Sequence, residues 1–403
     1  MDFSFTEKQL QFKREVQRFA AELALSDADP PDDSSCEQGR QNTAAAGMVA
    51  RDSRSEFSRA AWDACAKFGI HGLSLPEEFS GTPAVEFLTA VLAMEALGAA
   101  FPDLGLLFGL NAQMWTVQLP ILRFGTQRQQ EAYLPPLSDG SMVAAQAMTE
   151  PQAGSDVFAL QTIARPTGDN GYILNGRKCL ITLAPIADVI LLFATINPDA
   201  GKWGVTAFLI DRDLPGLTLR ESQQKMGLRT VPVGEVELND CFVPASQRLG
   251  AEGGGFALSN YALEFERCCI FASQLGAMER QLNESVRYAK QRTQFGQPIG
   301  KFQSISNRIA DMKTRIETAR LLLYRAAWLK QHDRSAMLEA AMLKLYLSEA
   351  FVDSSVDALR IHGGRGYLTE SGVERDVRDA FGGVLYGGTS DIQRNIISGL
   401  LGL

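Results

Sequence analysis

The feature that most constrains the fold of this 403-residue chain is that its hydrophobic period changes twice. From Phe3 to about Gly140, apolar residues recur at helical spacing, as in Leu10, Phe12, Val16, Phe19 and Leu23. From about Ser141 to Ala245 the pattern becomes short β-type runs, namely Gly171 to Asn175, Asp188 to Thr195, Val205 to Asp211 and Val231 to Leu238. Turns are expected at Asp169-Asn170, Asn175-Gly176, Pro198-Asp199 and Pro215-Gly216. From Gly253 onward long proline-free helical patterns return, chiefly Phe256 to Arg292 and Ile305 to Gln331, which suggests a bundle. The order predicts an α+β protein in three parts: a helical domain over 1–140, a β domain over 141–245 and a helical domain over 246–403. Within the first, Ser26 to Asp52 is rich in Asp, Pro, Ser, Gln and Ala and lacks aromatics, so 26–52 reads as a long loop or partly disordered insertion.

Charge and composition remove several function classes. With 39 Lys and Arg against 47 Asp and Glu, the net charge is −8, and no global positive field exists to hold a nucleic acid backbone. The longest apolar stretches, such as Val189 to Phe193, fall far short of a membrane span, and the amphipathic N-terminus lacks a signal core. Six cysteines without C-x-x-C spacing argue against a disulfide framework or structural zinc, and Cys268-Cys269 reads as packing. Three histidines make a histidine-rich metal site improbable. These observations predict a cytoplasmic, soluble protein without a metal. No G-x-G-x-x-G follows a strand and no G-x-x-x-x-G-K-[ST] occurs, so neither a Rossmann dinucleotide site nor a P-loop is supported.

Chemistry-bearing residues cluster in a few segments. Met148-Thr149-Glu150-Pro151-Gln152-Ala153-Gly154-Ser155-Asp156 concentrates hydroxyls and free N–H groups in a turn suited to an acceptor-rich ligand. It is accompanied by Lys178-Cys179-Leu180-Ile181-Thr182, Arg292-Thr293-Gln294-Phe295-Gly296, Phe302-Gln303, His362-Gly363-Gly364-Arg365-Gly366-Tyr367 and Tyr386-Gly387-Gly388-Thr389-Ser390-Asp391-Ile392-Gln393-Arg394. In this order and spacing the whole chain resembles the acyl-CoA dehydrogenase family of flavoproteins, from Thr6-Glu7 through Leu75-Pro76-Glu77-Glu78 to the last helix.

The resemblance implies a helical domain, a β domain and a C-terminal four-helix bundle, with FAD between the last two and completed by a neighbouring subunit of a homotetramer. It implies that Met148 and Thr149 meet the flavin pyrimidine edge and that Ile181 and Thr182 approach the N5 side. Ser155 would lie near the FAD phosphates or the pantetheine arm of the substrate, with Arg267 also on the substrate side. Arg292 and Gln303 would reach the pyrophosphate and adenosine across a subunit interface, and Arg360, Gly363, Gly364, Thr389 and Asp391 would complete the adenine side.

The family reaction removes an α-proton from an acyl thioester while a β-hydride passes to the flavin, which demands a desolvated carboxylate. Many members carry that Glu immediately before the Gly-Thr of the last motif, where this chain has Gly387. Members resembling isovaleryl-CoA dehydrogenase and the prolyl-carrier-protein dehydrogenases place it on a helix, 26 residues before the Arg of R-x-Q-F-G, which here is Glu266. Helical geometry supports the choice independently. Glu266 has Ala262, Leu263, Cys269 and Ile270 as its i±3 and i±4 neighbours, an apolar stripe, whereas Glu264 has Asn260, Tyr261, Arg267 and Cys268. Glu264 is thus expected to stay ionised beside Arg267, and Glu266 to act as base. Gly387 keeps the backbone N–H that polarises the thioester carbonyl in the family, and its missing side chain makes room for a branched or cyclic α-substituent. Leu180 stands where an aromatic is common beside the flavin and Gln146 where an aromatic or aliphatic residue is frequent; loss of the aromatic cover admits oxygen as well as electron-transfer flavoprotein as acceptor, and Arg360 stands where Gln is usual. The expected activity is an FAD-dependent acyl thioester dehydrogenase, with CoA or a phosphopantetheinyl carrier protein as the open alternatives for the carrier. A flavin oxidase or lyase on the same fold, or a non-catalytic partner subunit, are the rival readings.

Overall fold

The computed structural model describes residues 5–26, 47–168 and 170–403. The first helix, Glu7–Ser26, is opened by a reciprocal cap in which Gln9 N–H donates to Thr6 Oγ1 (3.2 Å) and Thr6 N–H to Gln9 Oε1 (3.0 Å). It buries Val16 and Leu23 of the stripe its spacing predicts, together with Ala20, and leaves Leu10, Phe12 and Phe19 half-buried. Helix Phe87–Ala100 is buried on nearly every side and packs between Glu7–Ser26 and the long helix Gly255–Gln291. That crossing is close: a Cβ at Gly98 would stand 1.9 Å from the Ser273 carbonyl oxygen, and one at Gly276 would stand 2.1 Å from that of Glu95. Each helix therefore needs glycine at the contact.

The segment read as a loop over 26–52 is helical at its end. Residues 47–54 form a helix with Met48, Arg51 and Asp52 buried, because Asp52 pairs with Arg378 (2.7 Å) and Arg51 with Asp103 (3.6 Å). The rest of that reading, 27–46, lies outside the described residues.

The central sheet comprises β1 (Ala144–Ala147), β2 (Ile163–Thr167), β3 (Gly171–Thr182), β4 (Val189–Thr195), β5 (Val205–Asp211), β6 (Leu217–Leu219), β7 (Val233–Pro244) and β8 (Arg248–Leu249). Its order is β6-β7-β3-β2-β4-β5-β8, with β1 pairing parallel to β4. β4 is buried along its whole length and β5 up to its last residue, so their sequences read as continuous apolar runs rather than alternating ones. Asn175-Gly176 is not a hairpin turn. It lies inside β3 at a register shift against β7, and a second shift follows between Lys178 and Ile181. Leu180, at that second shift, has φ +58° and is 65% exposed.

Three long helices, Gly255–Gln291, Gln303–Gln331 and Met337–His362, pack together, with the shorter Val373–Gly383 and Ser390–Leu400 against the third. Among the described residues no helix is long and apolar enough to cross a membrane, and no disulfide joins the described cysteines. Cys268 and Cys269 are fully buried packing residues, as read from the sequence.

Candidate active site

Glu266 sits in the first half of the long helix Gly255–Gln291. Ala262 and Cys269 beside it are fully buried and Ile270 nearly so, which is the apolar stripe expected for it. Its carboxylate has no ion pair or hydrogen bond among the described residues and keeps only partial accessibility. Burial pushes its pKa up to about 7, against the opposing pull of the Arg267 guanidinium.

Glu264, two residues earlier, meets a different fate. It is buried, but Lys330 Nζ stands 2.9 Å from its carboxylate and Ala336 N–H donates to the same oxygen at 3.3 Å. The expected contact with Arg267 is therefore replaced by Lys330, because the helix hairpin Gln303–Gln331/Met337–His362 brings a cation to that face. Arg267 turns the other way: its Nε and Nη2 donate to the Gly387 carbonyl at 3.4 and 3.3 Å.

Gly387 occupies the turn that joins helix Val373–Gly383 to helix Ser390–Leu400. Its φ of +62° is the left-handed region that favours glycine, and a Cβ there would meet nothing within 4 Å. Gln393, fully buried, also donates to the Gly387 and Gly388 carbonyls at 3.0 and 3.2 Å. The Gly387 N–H makes no hydrogen bond among the described residues. Next to it, Tyr386 packs on Phe108 (4.5 Å between centroids) and on Phe271, takes a hydrogen bond from Gln274, and feels the charge of Glu266. Arg267 thus ties the helix that carries Glu266 to the Gly387 turn, and the aromatic Tyr386 beside that turn feels the Glu266 charge.

A second group forms at the end of β1. Met148 is buried and Thr149 is half-buried; the Thr149 carbonyl accepts from Cys179 N–H (3.0 Å), tying this turn to β3 near Ile181 and Thr182. Ile181 is itself buried and Thr182 half-buried. Beneath them lies a pair that the sequence reading did not assign. Lys178, fully buried, donates to Glu150 (2.7 Å) and to the Met148 carbonyl (3.1 Å). Burial depresses the Lys178 pKa to about 8, while Glu150 pulls it upward. Burial also acts against Glu150, yet Lys178 and the N–H groups of Gln161 and Thr162 hold its carboxyl below the ordinary range. The available signal was a lysine and a glutamate in two β-domain segments already singled out. Ser155 is exposed in the turn beyond.

A third group lines a cleft of about 720 Å³ at the far end of the bundle, where Arg292, Gly363 and Gly364 meet Tyr288, His362 and Phe295. Arg292 is exposed at the end of its helix, with no carboxylate partner among the described residues. Gly363 and Gly364 offer bare backbone, since a Cβ at either would meet nothing within 4 Å. Tyr288 and His362 stack at 4.4 Å. Two exposed arginines, Arg292 and Arg365, with bare backbone and flat rings suit a ligand that is anionic in one part and aromatic in another, the chemistry of a dinucleotide. Gln303, Arg360, Thr389 and Asp391 are not brought into this cleft. Gln303 is an exposed helix start, Arg360 is exposed and 3.8 Å from Asp357, Thr389 caps Ile392 N–H, and Asp391 pairs with Arg394 at 3.1 Å.

Three family models match the chain: the acyl-CoA dehydrogenase N-terminal domain over residues 41–141, the middle domain over 145–241 and the C-terminal domain over 253–401. An L-prolyl-[peptidyl-carrier protein] dehydrogenase of Pseudomonas fluorescens is 42% identical, covering 85% of this chain and 90% of that protein. A protein of the same name from a Serratia species is 39% identical over 100% of this chain and 99% of its own. Among solved structures, the prolyl acyl carrier protein oxidase AnaB superposes with a TM-score of 0.91 at 43% identity, covering 99% of this chain and 100% of that one. PigA with FAD and proline gives 0.92 at 38% identity, with both chains fully covered. From sequence motifs, fold and relatives alike, the chain belongs to the acyl-CoA dehydrogenase family of FAD-dependent oxidoreductases.

Proposed function

We propose that this FAD-dependent acyl thioester dehydrogenase uses Glu266 as its base and acts on a prolyl group held on the phosphopantetheine of a carrier protein. The observation that carries the reading is a desolvated carboxylate at Glu266, without an ion pair among the described residues, next in sequence to the Arg267 that holds the Gly387 turn, whose side-chain position is open space. The relatives named as prolyl-carrier-protein enzymes support the substrate class, and a ring on the α-carbon needs the room that Gly387 leaves.

Each residue has a task in this scheme. Glu266 takes the α-proton, which its near-neutral pKa suits to operation around pH 7. The Gly387 N–H, without an acceptor among the described residues, is offered to the thioester oxygen as negative charge develops there. Arg267 and Gln393 fix that turn through its carbonyls. Aromatic side chains of Phe108, Phe271 and Tyr386 keep the pocket dry. The residues present fit FAD: the Thr149 turn braced by Lys178 for the flavin, and the cleft of Arg292, Gly363 and Gly364 for the phosphate and adenosine end, with Arg292 reaching it across a subunit interface. When bound, FAD supplies the acceptor for the electron pair that leaves the β-carbon. Gln303, Arg360 and Asp391, exposed outside that cleft, fit a cofactor completed by a second copy of the chain in a homotetramer. The thiols of the described cysteines fit a cytoplasmic setting. Leu180, exposed where an aromatic cover is common, favours oxygen over an electron-transfer flavoprotein as the acceptor.

The test is the visible spectrum of the FAD-loaded protein under anaerobic conditions as thioesters are added. A prolyl-loaded carrier protein is expected to bleach the flavin band, and readmitted oxygen to restore it. Bleaching by short acyl-CoAs with no response to the loaded carrier would make this a CoA-level dehydrogenase instead.

A further inference from the structure

At Phe256, ten residues before Glu266, the long helix Gly255–Gln291 forms part of an aromatic platform that has no task in the scheme above. Trp203, in the turn between β4 and β5, is 62% exposed, and its ring meets Phe256 edge-on with 5.4 Å between centroids. Phe158, just beyond Ser155, packs on the same Phe256 ring at 5.0 Å. Lys202 Nζ lies 4.4 Å from the Phe256 centroid and 5.1 Å from that of Trp203, within reach of both rings as a cation–π contact. Backbone contacts fix the platform. A Cβ at Gly253 would stand 2.4 Å from the Trp203 carbonyl oxygen, and Gly253 N–H donates to Thr206 Oγ1 at 2.9 Å. A rigid Trp left in water offers a partner large contact area at low entropic cost.

Between the platform and the base, the helix keeps one side half-open. Phe256, Asn260, Leu263 and Glu266 are half-buried at the i, i+4, i+7 and i+10 spacing of a single face, whereas Leu258, Ser259 and Ala262 are buried. The Asn260 side chain makes no hydrogen bond among the described residues, so it can serve the amides of an arm lying along that face. Ten residues of helix rise about 15 Å, a span that an extended phosphopantetheine arm covers. A thioester at Glu266 therefore leaves the far end of the arm, and whatever bears it, at Phe256.

We infer that Lys202, Trp203 and Phe256 form the docking surface for the carrier protein, whose arm runs along the Phe256, Asn260 and Leu263 face to Glu266. The inference rests on the carrier-protein reading above and adds where that protein binds. Two observations favour a protein over the nucleotide end of CoA. Lys202 already lies over the Phe256 ring at 4.4 Å, so an adenine could stack there only by displacing it. Lys202 also makes no ion pair among the described residues, which leaves its charge to complement an acidic protein surface around the phosphate that joins the arm.

The experiment compares Trp203→Ala and Lys202→Glu with the parent FAD-loaded enzyme. Anaerobic bleaching of the flavin band is followed with three thioesters: prolyl-loaded carrier protein, prolyl-CoA and carrier-free prolyl-pantetheine. Trp203→Ala should raise KM for the loaded carrier about tenfold or more, with kcat close to that of the parent. Lys202→Glu should raise the same KM. The parent KM for the carrier should also climb with ionic strength, and that of Lys202→Glu should climb less, because the screened attraction is already gone. Prolyl-pantetheine should respond alike in parent and variants, since it lacks the protein that the platform holds. An unchanged KM for the loaded carrier in Trp203→Ala overturns the inference. So does an equal loss on prolyl-CoA, which would make the platform a nucleotide site. The parent alone checks the substrate reading: if the loaded carrier does not bleach its flavin, that reading has failed and the docking surface falls with it.

Discussion

The pocket around Glu266 and the cleft around Arg292 differ in how much of a site one chain builds alone. In the pocket, each functional group already has its final surroundings. Glu266 is desolvated, Arg267 is committed to the Gly387 carbonyl, and two side chains clamp that turn. In the cleft, Arg292 is exposed without a carboxylate partner, Gly363 and Gly364 are bare, and Phe295 is 93% exposed. On the proposed reading, one chain encloses the chemistry but only outlines the dinucleotide end. Changes in the pocket should act on the chemical step and its pH dependence. Changes in the cleft should act on cofactor retention, and should be weaker one at a time because solvent shares the load.

The largest expected effect is at the base. Glu266→Gln should lower kcat by about 10²- to 10⁴-fold, the usual contribution of a positioned base, while the protein stays yellow. The parent kcat/KM should rise with pH through an acid limb near 7, because only the ionised carboxylate accepts the proton. Stability should move oppositely. The folded pKa lies above the ordinary 4.5, so ionisation opposes folding and stability falls as pH rises from about 4.5 to about 7. Above pH 7, Glu266→Gln should therefore be the more stable protein, by at most about 3 kcal/mol. A variant that is slow, but no more stable at pH 8, would mean that Glu266 is not desolvated as described.

Next comes the brace beneath Thr149. Lys178→Met removes one partner of a buried ion pair and leaves Glu150 with N–H donors but no cation. Breaking such a pair costs about 3–5 kcal/mol, and the remaining donors place this one near the lower end. Thermal unfolding should show the loss. The flavin should also leave more readily on dialysis, since the Met148 carbonyl loses its anchor. Full flavin retention in a destabilised Lys178→Met would confine the pair to a folding role.

Much of this was legible because it is local. Helical spacing places Phe256 to Arg292 within one residue of the observed Gly255–Gln291, and the strand Val205–Asp211 has the boundaries expected of it. Glu266 was separable from Glu264 by its i±3 and i±4 neighbours, which depend only on the helix carrying them. What escaped depends on partners distant in the chain. Glu264 pairs with Lys330 rather than Arg267 because another helix supplies the cation. Asn175-Gly176, a strong turn signal, is overridden by pairing with β7 on a neighbouring strand. Residues 47–52 look like loop, yet they fold as helix once Asp52 and Arg51 find Arg378 and Asp103.

The smallest effect sharpens the comparison from its open side. Arg292→Ala removes a single exposed cation that makes no ion pair within the chain. A charge there can attract an anionic ligand, but water and salt screen it, so the loss should be about 1 kcal/mol, less than tenfold in FAD affinity. The deficit should shrink as ionic strength rises, because screening removes in the parent what the variant already lacks. The acid limb near pH 7 should not move, since Arg292 lies at the opposite end of the long helix from Glu266. Equilibrium dialysis at low and high salt, with a pH profile of the loaded variant, checks both. A loss of a hundredfold or more would show that Arg292 is enclosed in the assembled enzyme, with the neighbouring subunit closing the cleft that one chain leaves open. A salt-insensitive loss would point the same way, because a buried ion contact is the one that mobile ions cannot reach.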